Sequence, residues 1–231
     1  MKIGLLMAGI SYGYKSDRDF RHCFPNISRN LIEPLKKFHD VECYIVTYEH
    51  EHLDELRSMF EPKIMKMVSY EGATQLSTRA EAIHLVNNVE AEIDFYIMCR
   101  FDLHFNQPLS EMNLDFNKFN IVSREGNGFW EREKFIGDVL FAWPRMLHSQ
   151  VTKTFEDLKQ LTTSGDWRHE GKHNHNFYIV LSPNVGEENI HFMFNNYQLS
   201  GHEFASICTE DCSRRLRGQY LVNEEVIARF P

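Results

Sequence analysis

The chain has 231 residues, of which 25 are Lys or Arg and 33 are Asp or Glu, so its formal net charge is −8. Hydrophobic residues make up 42% of the chain and charged residues 25%, a globular composition that excludes a largely disordered protein. Nucleic acids and anionic membranes bind surfaces dense in Lys and Arg, so the acidic balance argues against both as partners. Any anion that the protein binds is expected to be small and held locally.

The apolar stretch near the start, residues 3–10, is far shorter than the roughly 20 residues that a membrane span needs. It also lacks the cleavage site of a signal peptide. We therefore expect a soluble, cytoplasmic protein without a membrane span. The five cysteines are an odd number, and two lie in apolar runs, which favours reduced, buried thiols.

Apolar runs of strand length alternate with helical patterns over the first 150 residues. Runs without internal alternation are typical of strands that are covered on both faces. The alternation predicts βαβ units, and hence an α/β fold in which a mainly parallel central sheet has helices on both faces. The predicted strands are residues 3–8, 43–47, 64–68, 95–99, 119–123 and 139–143, and the predicted helices are 27–38, 53–60 and 76–89.

The pattern changes after Pro144. Residues 146–161 predict a helix, residues 162–176 a polar loop rich in histidine, and residues 177–181 and 190–194 two short strands. No repeat, linker or low-complexity tract marks a second domain. We predict a single domain over residues 1–231 with an irregular C-terminal third. Its oligomeric state is not specified by the sequence.

Ligands of open parallel sheets bind at the carboxyl ends of the strands, so the residues after each apolar run are candidates for a site. The loop after the first strand contains Gly9, Ser11 and Lys15, together with two arginines. Its backbone amides and cations suit phosphate oxygens, although the spacing matches neither a Walker loop nor a dinucleotide fingerprint. An ordinary solvated surface loop is the alternative interpretation.

The segment after the fourth strand is the most informative. With a period of two, Arg100, Asp102 and His104 share one face, while the three apolar residues between and after them point into the core. A carboxylate and an imidazole two residues apart could bind one divalent ion, either Mg²⁺ or Mn²⁺. The alternative is an ion pair between Arg100 and Asp102, with His104 exposed.

Five segments carry a resemblance to a known family. They are KIGLLMAG at the start, YIVTY, QLSTRAEAI, CRFDLHF and IGDVLFAWPRML, which together span residues 1–147. In this order they resemble the GT-A class of nucleotide-sugar-dependent glycosyltransferases, with its Rossmann-like fold. More narrowly, they resemble the small soluble enzymes of bacterial polysaccharide loci and of large algal DNA viruses.

The resemblance implies a role for each matching residue. Asp102 takes the metal position of the Asp-x-Asp motif, and His104 replaces the second aspartate. Arg79 faces the diphosphate or sugar of the donor, and Asp138 lies near the acceptor hydroxyl. The donor site would consist of Gly9, Ser11, Lys15, Arg79, Arg100 and Asp102. Residues 1–105 would then form the nucleotide-sugar half and residues 106–231 the acceptor half, with a lid and a C-terminal tail.

The implied reaction is the transfer of one hexosyl or pentosyl sugar from a UDP- or GDP-sugar to a hydroxyl of a glycan or glycoprotein, with Mn²⁺ or Mg²⁺ as cofactor. In an inverting reaction Asp138 is the candidate base, although Asp138 could instead cap a turn. Trp130 is a candidate surface for sugar stacking. Two alternatives stay open: a metal-dependent hydrolase or nucleotidyltransferase that uses His173 and His175, and a non-catalytic carbohydrate-binding protein.

Overall fold

A computed structural model describes residues 1–13, 19–69, 74–89, 92–124, 129–163, 177–194 and 205–207. The strands are β1 Lys2–Ala8, β2 Asp40–Tyr48, β3 Ile64–Val68, β4 Phe95–Cys99, β5 Leu103–Phe105, β6 Phe119–Ile121, β7 Leu140–Pro144, β8 Ile190–Phe192 and β9 Ala205–Ile207. The helices are α1 Phe20–Ile27, α2 Glu33–Lys36, α3 Leu53–Phe60, α4 Gln75–Asn87, α5 Phe129–Glu133, α6 His148–Thr163 and α7 Phe177–Val185. No helix in these ranges is long and apolar enough to cross a membrane.

Seven strands form one sheet in the order β3-β2-β1-β4-β7-β6-β8. The pairs of β1 with β2, β1 with β4, β2 with β3 and β6 with β8 are parallel, whereas β7 runs antiparallel to both β4 and β6. The short strands β5 and β9 pair separately. The prediction of an α/β fold with a mainly parallel sheet is confirmed.

The two faces of the sheet bury separate cores, as the alternation of side chains along a strand requires. On β1, Ile3, Leu5 and Met7 pack with residues of α1 and α3. Leu6 and Ala8 point to the other face and pack with residues of α4, α6 and α7. Helices therefore cover both faces, and this agrees with the unbroken apolar runs of the central strands.

Residues 177–181 are not a strand, so that prediction is wrong. They begin helix α7, whose buried residues Phe177, Tyr178, Leu181 and Val185 recur at helical spacing. This face packs in the same core as α6, with Phe155 and Phe177 ring centroids 5.0 Å apart. A short apolar run does not separate a buried helix from a strand by periodicity, and here packing against α6 decides the outcome.

Helix α1 begins at Phe20, seven residues before the predicted start at residue 27. Its N-cap is Asp19, whose side chain accepts a hydrogen bond from the backbone N–H of Arg21. Pro25 lies inside the helix, and the buried residues Phe20 and Cys23 extend the apolar face before the predicted start. The early start carries Asn26 to β5, where its side-chain amide bonds both the N–H and the carbonyl of Phe105.

The chain leaves β1, builds β2 and β3 on one side, and returns to β4 on the other side of β1. This change of direction makes a topological switch point between β1 and β4, where open α/β sheets bind ligands. Because β7 is antiparallel to β4, the residues before β7 reach the same edge as the carboxyl end of β4, and Cys99 pairs with Leu140. Asp138 therefore lies beside the switch point.

An aromatic stack holds His148 in its neutral form at the opposite edge of the sheet. The imidazole lies parallel to the ring of Tyr96, with centroids 4.1 Å apart, and near Trp143. Its Nδ1 accepts a hydrogen bond from Trp143 Nε1, and Nε2 lies 2.6 Å from Asn87 Oδ1. An acceptor at Nδ1 and a donor at Nε2 define the neutral tautomer, and burial lowers the pKa of His148 to about 4.

We expect this histidine to make stability depend on pH. As the pH falls from 6.5 to 4, the unfolded chain binds the proton first, which favours unfolding; above 6.5 both states are neutral. After allowance for partial exposure, the loss is about 2 kcal/mol. Urea unfolding at pH 7.5 and 4.5 measures it: His148→Gln loses less stability than the wild type over this interval, and exposed His22→Gln serves as the control. Equal losses in all three proteins would contradict the assignment.

Candidate active site

Four charged side chains meet beside the switch point. Arg79 comes from α4, Arg100 and Asp102 follow β4, and Asp138 precedes β7. They are only 3%, 7%, 2% and 8% exposed, respectively. Charged residues are rarely buried to this degree unless they are paired, so these four form one electrostatic unit, called here the charge cluster.

The tightest contact in the charge cluster joins Arg100 to Asp102. Arg100 Nε lies 2.8 Å from Asp102 Oδ1, and Arg100 Nη2 lies 2.7 Å from Oδ2, which is a bidentate ion pair. Burial alone would lower the pKa of Arg100, but the charge and hydrogen bonds of Asp102 outweigh it and raise that pKa. The ion pair that the sequence allowed as the alternative interpretation is therefore present.

Asp138 lies near both guanidinium groups, at longer distances than those of the Arg100–Asp102 pair. Arg79 Nη2 is 3.8 Å from Asp138 Oδ2, and Arg100 Nη1 is 3.9 Å from Oδ1, both longer than hydrogen bonds. Arg79 Nη2 also donates a hydrogen bond to the backbone carbonyl of Asp138. This bond fixes the Arg79 guanidinium. Of the two acids, Asp138 has the more exposed side chain, 11% against 2% for Asp102.

Arg79 remains a cation although it is almost fully buried. Burial lowers its pKa to about 10, while the charge of Asp138 opposes that shift. The guanidinium also lies over the ring of Phe141, 5.2 Å from its centroid, where a cation–π contact supports the charge. The charge cluster thus brings together two guanidinium groups and two carboxyl groups, whose formal charges balance.

The predicted metal ligands do not form a complete site. Asp102 turns both carboxylate oxygens to Arg100, whereas His104 lies beyond a turn on β5, with Nε2 3.2 Å from Asn26 Nδ2. Burial lowers the pKa of His104, so its ring is neutral at pH 7. Within the described ranges no group of three or more His, Cys, Asp or Glu could hold a metal ion. The bound metal ion stays a prediction, and the proposed roles of the charge cluster do not require it.

The carboxyl ends of β1 and β2 share a hydrogen-bonded chain of side chains. Ser11 Oγ lies 2.7 Å from His50 Nε2 and 2.6 Å from Thr47 Oγ1, and Thr47 donates to the carbonyl of Gly9. His50 Nδ1 accepts the backbone N–H of His52, so the ring proton is on Nε2 and points to Ser11. Because Nε2 is the donor, His50 does not act as a base for Ser11 in this arrangement, and the hydrogen bonds hold the Ser11 side chain in place.

Gly9 occupies a backbone conformation that L side chains rarely adopt, with φ of +125°. It turns the chain out of β1 toward Ser11, and a Cβ at Gly9 would meet no atom of the described residues within 4 Å. Its place near a ligand stays a prediction. Lys15, which was predicted beside it, lies outside the described residues.

The sequence-based prediction missed three polar residues of this edge: Thr47, His50 and Ser123. Ser123 follows β6, and its carbonyl accepts the N–H of Gly137, one residue before Asp138. Its hydroxyl is fully buried and has no hydrogen-bond partner among the described residues. Thr47 and Ser123 are the last residues of predicted strands, and His50 lies three residues after Thr47. Extending the strand-end rule to these positions could have found all three.

Several predicted features lie outside the described residues. They include the histidine-rich loop with His173 and His175, and the C-terminal tail. The metal-dependent hydrolase or nucleotidyltransferase that would use this loop stays a hypothesis.

No family model and no curated protein sequence matches the chain. Among solved structures, it is similar to the apo form of the glycosyltransferase GlyE from Streptococcus pneumoniae TIGR4. The identity is 9% and the TM-score 0.49, and the match covers 79% of this chain and 44% of that one. The chain thus spans less than half the length of that protein, and functional inference has to rest on its own side chains.

Proposed function

We propose that this protein is a glycosyltransferase that moves one hexosyl or pentosyl sugar from a UDP- or GDP-sugar to a hydroxyl of a glycan or glycoprotein acceptor. One observation carries the proposal: the Asp138 carboxylate lies between Arg79 and Arg100 at the switch point of the sheet. This arrangement supplies a proton acceptor and two donors for phosphate oxygens in the place where such sheets bind ligands.

The chemistry of transfer needs these two functions together. As the glycosidic bond to the diphosphate breaks, negative charge develops on the leaving group, and fixed cations nearby stabilise it. Arg79 and Arg100 are such cations, since their guanidinium groups are held by the Asp138 carbonyl and by Asp102, respectively. Neither needs to reorganise when the charge develops, and this is what makes buried donors effective.

Asp138 is the proposed base for the attacking hydroxyl. The two guanidinium groups are too far from the Asp138 carboxylate for the hydrogen bonds of a close ion pair. A donor diphosphate can therefore bind them, and it need not break the Arg100–Asp102 pair. As the diphosphate takes up this positive charge, the Asp138 carboxylate becomes more able to accept a proton. Donor binding would thus prepare the base for the acceptor, in an inverting reaction.

The balanced charge of the cluster affects how a metal cofactor would bind. A donor diphosphate adds negative charge to a site that starts near neutrality, and a divalent ion that arrives with the donor would offset it. The described side chains provide no complete site for such an ion without the donor. We therefore propose that Mn²⁺ or Mg²⁺, where it is used, is bound largely by the diphosphate itself.

Thermal unfolding with a panel of UDP- and GDP-sugars tests the proposal. A donor at 100 times its dissociation constant should stabilise the fold by about 2.7 kcal/mol, and the shift should appear with one nucleotide series and not with free sugars. Parallel runs with EDTA and with Mn²⁺ measure the contribution of the ion.

No shift with any donor under either condition would contradict the proposal. A shift with glycans alone, unaffected by free UDP or GDP, would favour the carbohydrate-binding alternative. The alternative that uses the histidine loop requires that alanine at His173 and His175 abolishes the effect of Mn²⁺.

A further inference from the structure

A second group of cations lies at the same edge of the sheet, beyond β6. The guanidinium carbon of Arg124 is 5.1 Å from the ring centroid of Trp130, and Lys134 Nζ is 4.8 Å from it. The indole is half-buried and meets Tyr178 and Phe192 edge to face, with centroids 4.8 and 5.3 Å apart. We call Arg124, Trp130 and Lys134 the cation platform.

The cation platform is joined to the segment that carries Asp138. Arg124 pairs with Ile136 in an antiparallel bridge, and the neighbouring Ser123 carbonyl accepts the N–H of Gly137 at 3.0 Å. Asp138 follows two residues after Ile136. The platform therefore lies on the side of the charge cluster away from β1 and β2, in the direction from which an acceptor could reach Asp138.

Neither cation of the platform forms an ion pair with any carboxylate that the structure describes. Most other cations near this edge do: Arg21 pairs with Asp19, and Arg100 with Asp102. Arg124 instead packs its guanidinium on Phe192, 3.9 Å from the ring centroid. The platform thus concentrates positive charge over aromatic rings, in a protein whose formal net charge is −8.

Lys134 is held in a strained conformation. Its φ of +54° lies in the left-handed region, which costs a residue with a side chain free energy. Its N–H donates to the Trp130 carbonyl at 3.0 Å, and its side chain is exposed over the indole. Backbone strain of this kind concentrates at ligand sites, and here it accompanies the unmatched charge and the aromatic surface.

We infer that the cation platform binds an acidic sugar of the acceptor, one that carries a carboxylate, as uronic acids do. The carboxylate receives charge-assisted hydrogen bonds from Arg124 and Lys134, the two cations that lie over the indole. A neutral sugar would not gain these hydrogen bonds. That the carboxylate belongs to an acceptor sugar rests on the proposed function, whereas the binding of a carboxylate rests on the platform alone.

Isothermal titration of the full chain, without nucleotide sugar, tests this inference. The probes are oligosaccharides of glucuronate, galacturonate and mannuronate, each compared with its methyl ester, which removes the charge and adds one methyl group. We expect at least one uronate to bind about tenfold more tightly than its ester. Arg124→Gln and Lys134→Gln should each reduce this preference severalfold, while exposed Lys37→Gln, on the other end of the sheet, should not.

The inference is overturned if no uronate is preferred over its ester, or if the two platform variants bind as the wild type does. It is also overturned if a single-stranded oligonucleotide binds as tightly as the best uronate, since the platform would then be a general anion site. This outcome can be distinguished from that of the proposed function. A preference for uronate without a donor-induced thermal shift supports the platform inference and contradicts the proposed transferase. A donor-induced thermal shift without a preference for uronate supports the transferase and contradicts the platform inference.

Discussion

Asp138→Asn is expected to lower the rate of sugar transfer, or of donor hydrolysis, by about 10²- to 10⁴-fold, the usual contribution of a general base. The donor should bind as tightly as to the wild type or more tightly. The reason is the charge balance, because two cations and two carboxylates become two cations and one carboxylate when Asp138 is neutral. Titration calorimetry and rate measurements with the donor that gives the largest thermal shift would separate the two effects.

Asp94→Asn is a matched control for this change. Asp94 is exposed, precedes β4 at the opposite edge of the sheet, and accepts the backbone N–H of Lys2. It should leave both the rate and the affinity for donor unchanged. A rate for Asp138→Asn within about threefold of the wild type would remove Asp138 as the base, since a base contributes far more. Weakened donor binding would show instead that Asp138 contacts the donor.

One topological rule located Arg100 and Asp102 of the charge cluster from the sequence, whereas Arg79 and Asp138 came from the family resemblance. Arg100 and Asp102 follow an apolar run, and the carboxyl end of such a run is the binding edge of a parallel sheet. The direction of β7 was not foreseen. With β7 antiparallel, the residue before the strand reaches that edge, and this is how Asp138 meets Arg100. Strand direction depends on tertiary pairing, which the hydrophobic pattern alone does not encode.

The predicted shared face of Arg100, Asp102 and His104 held only in part. The three phenylalanine and leucine residues of this segment are buried in the core as expected: Phe101, Leu103 and Phe105. A turn between β4 and β5, however, separates His104 from the carboxylate, and Asn26 of α1 fixes β5. Local alternation predicted which side chains are buried but not the position of the turn, because that position is set by a contact 79 residues away.

Removing one member of the buried ion pair should destabilise the protein strongly, whereas removing both should not. Asp102→Ala leaves the buried Arg100 guanidinium with its nearest remaining carboxylate oxygen at 3.9 Å. The expected loss is about 3–5 kcal/mol in the free energy of unfolding. In the double variant Arg100→Met with Asp102→Leu, apolar side chains replace the pair, and stability should return to within about 2 kcal/mol of the wild type. Urea unfolding of the wild type, Asp102→Ala, Arg100→Met and the double variant measures these differences.

The same four proteins distinguish a structural pair from a functional one. If the pair only held the fold together, the stable double variant would keep the donor-induced thermal shift, because Arg79 and Asp138 are still present. We expect the shift to be lost, since Arg100 supplies one of the two cations that face the diphosphate and Asp102 holds it in place. If the double variant is as unstable as Asp102→Ala, the loss of stability does not come from an unpaired buried charge. The cause would then be the shape of this part of the core.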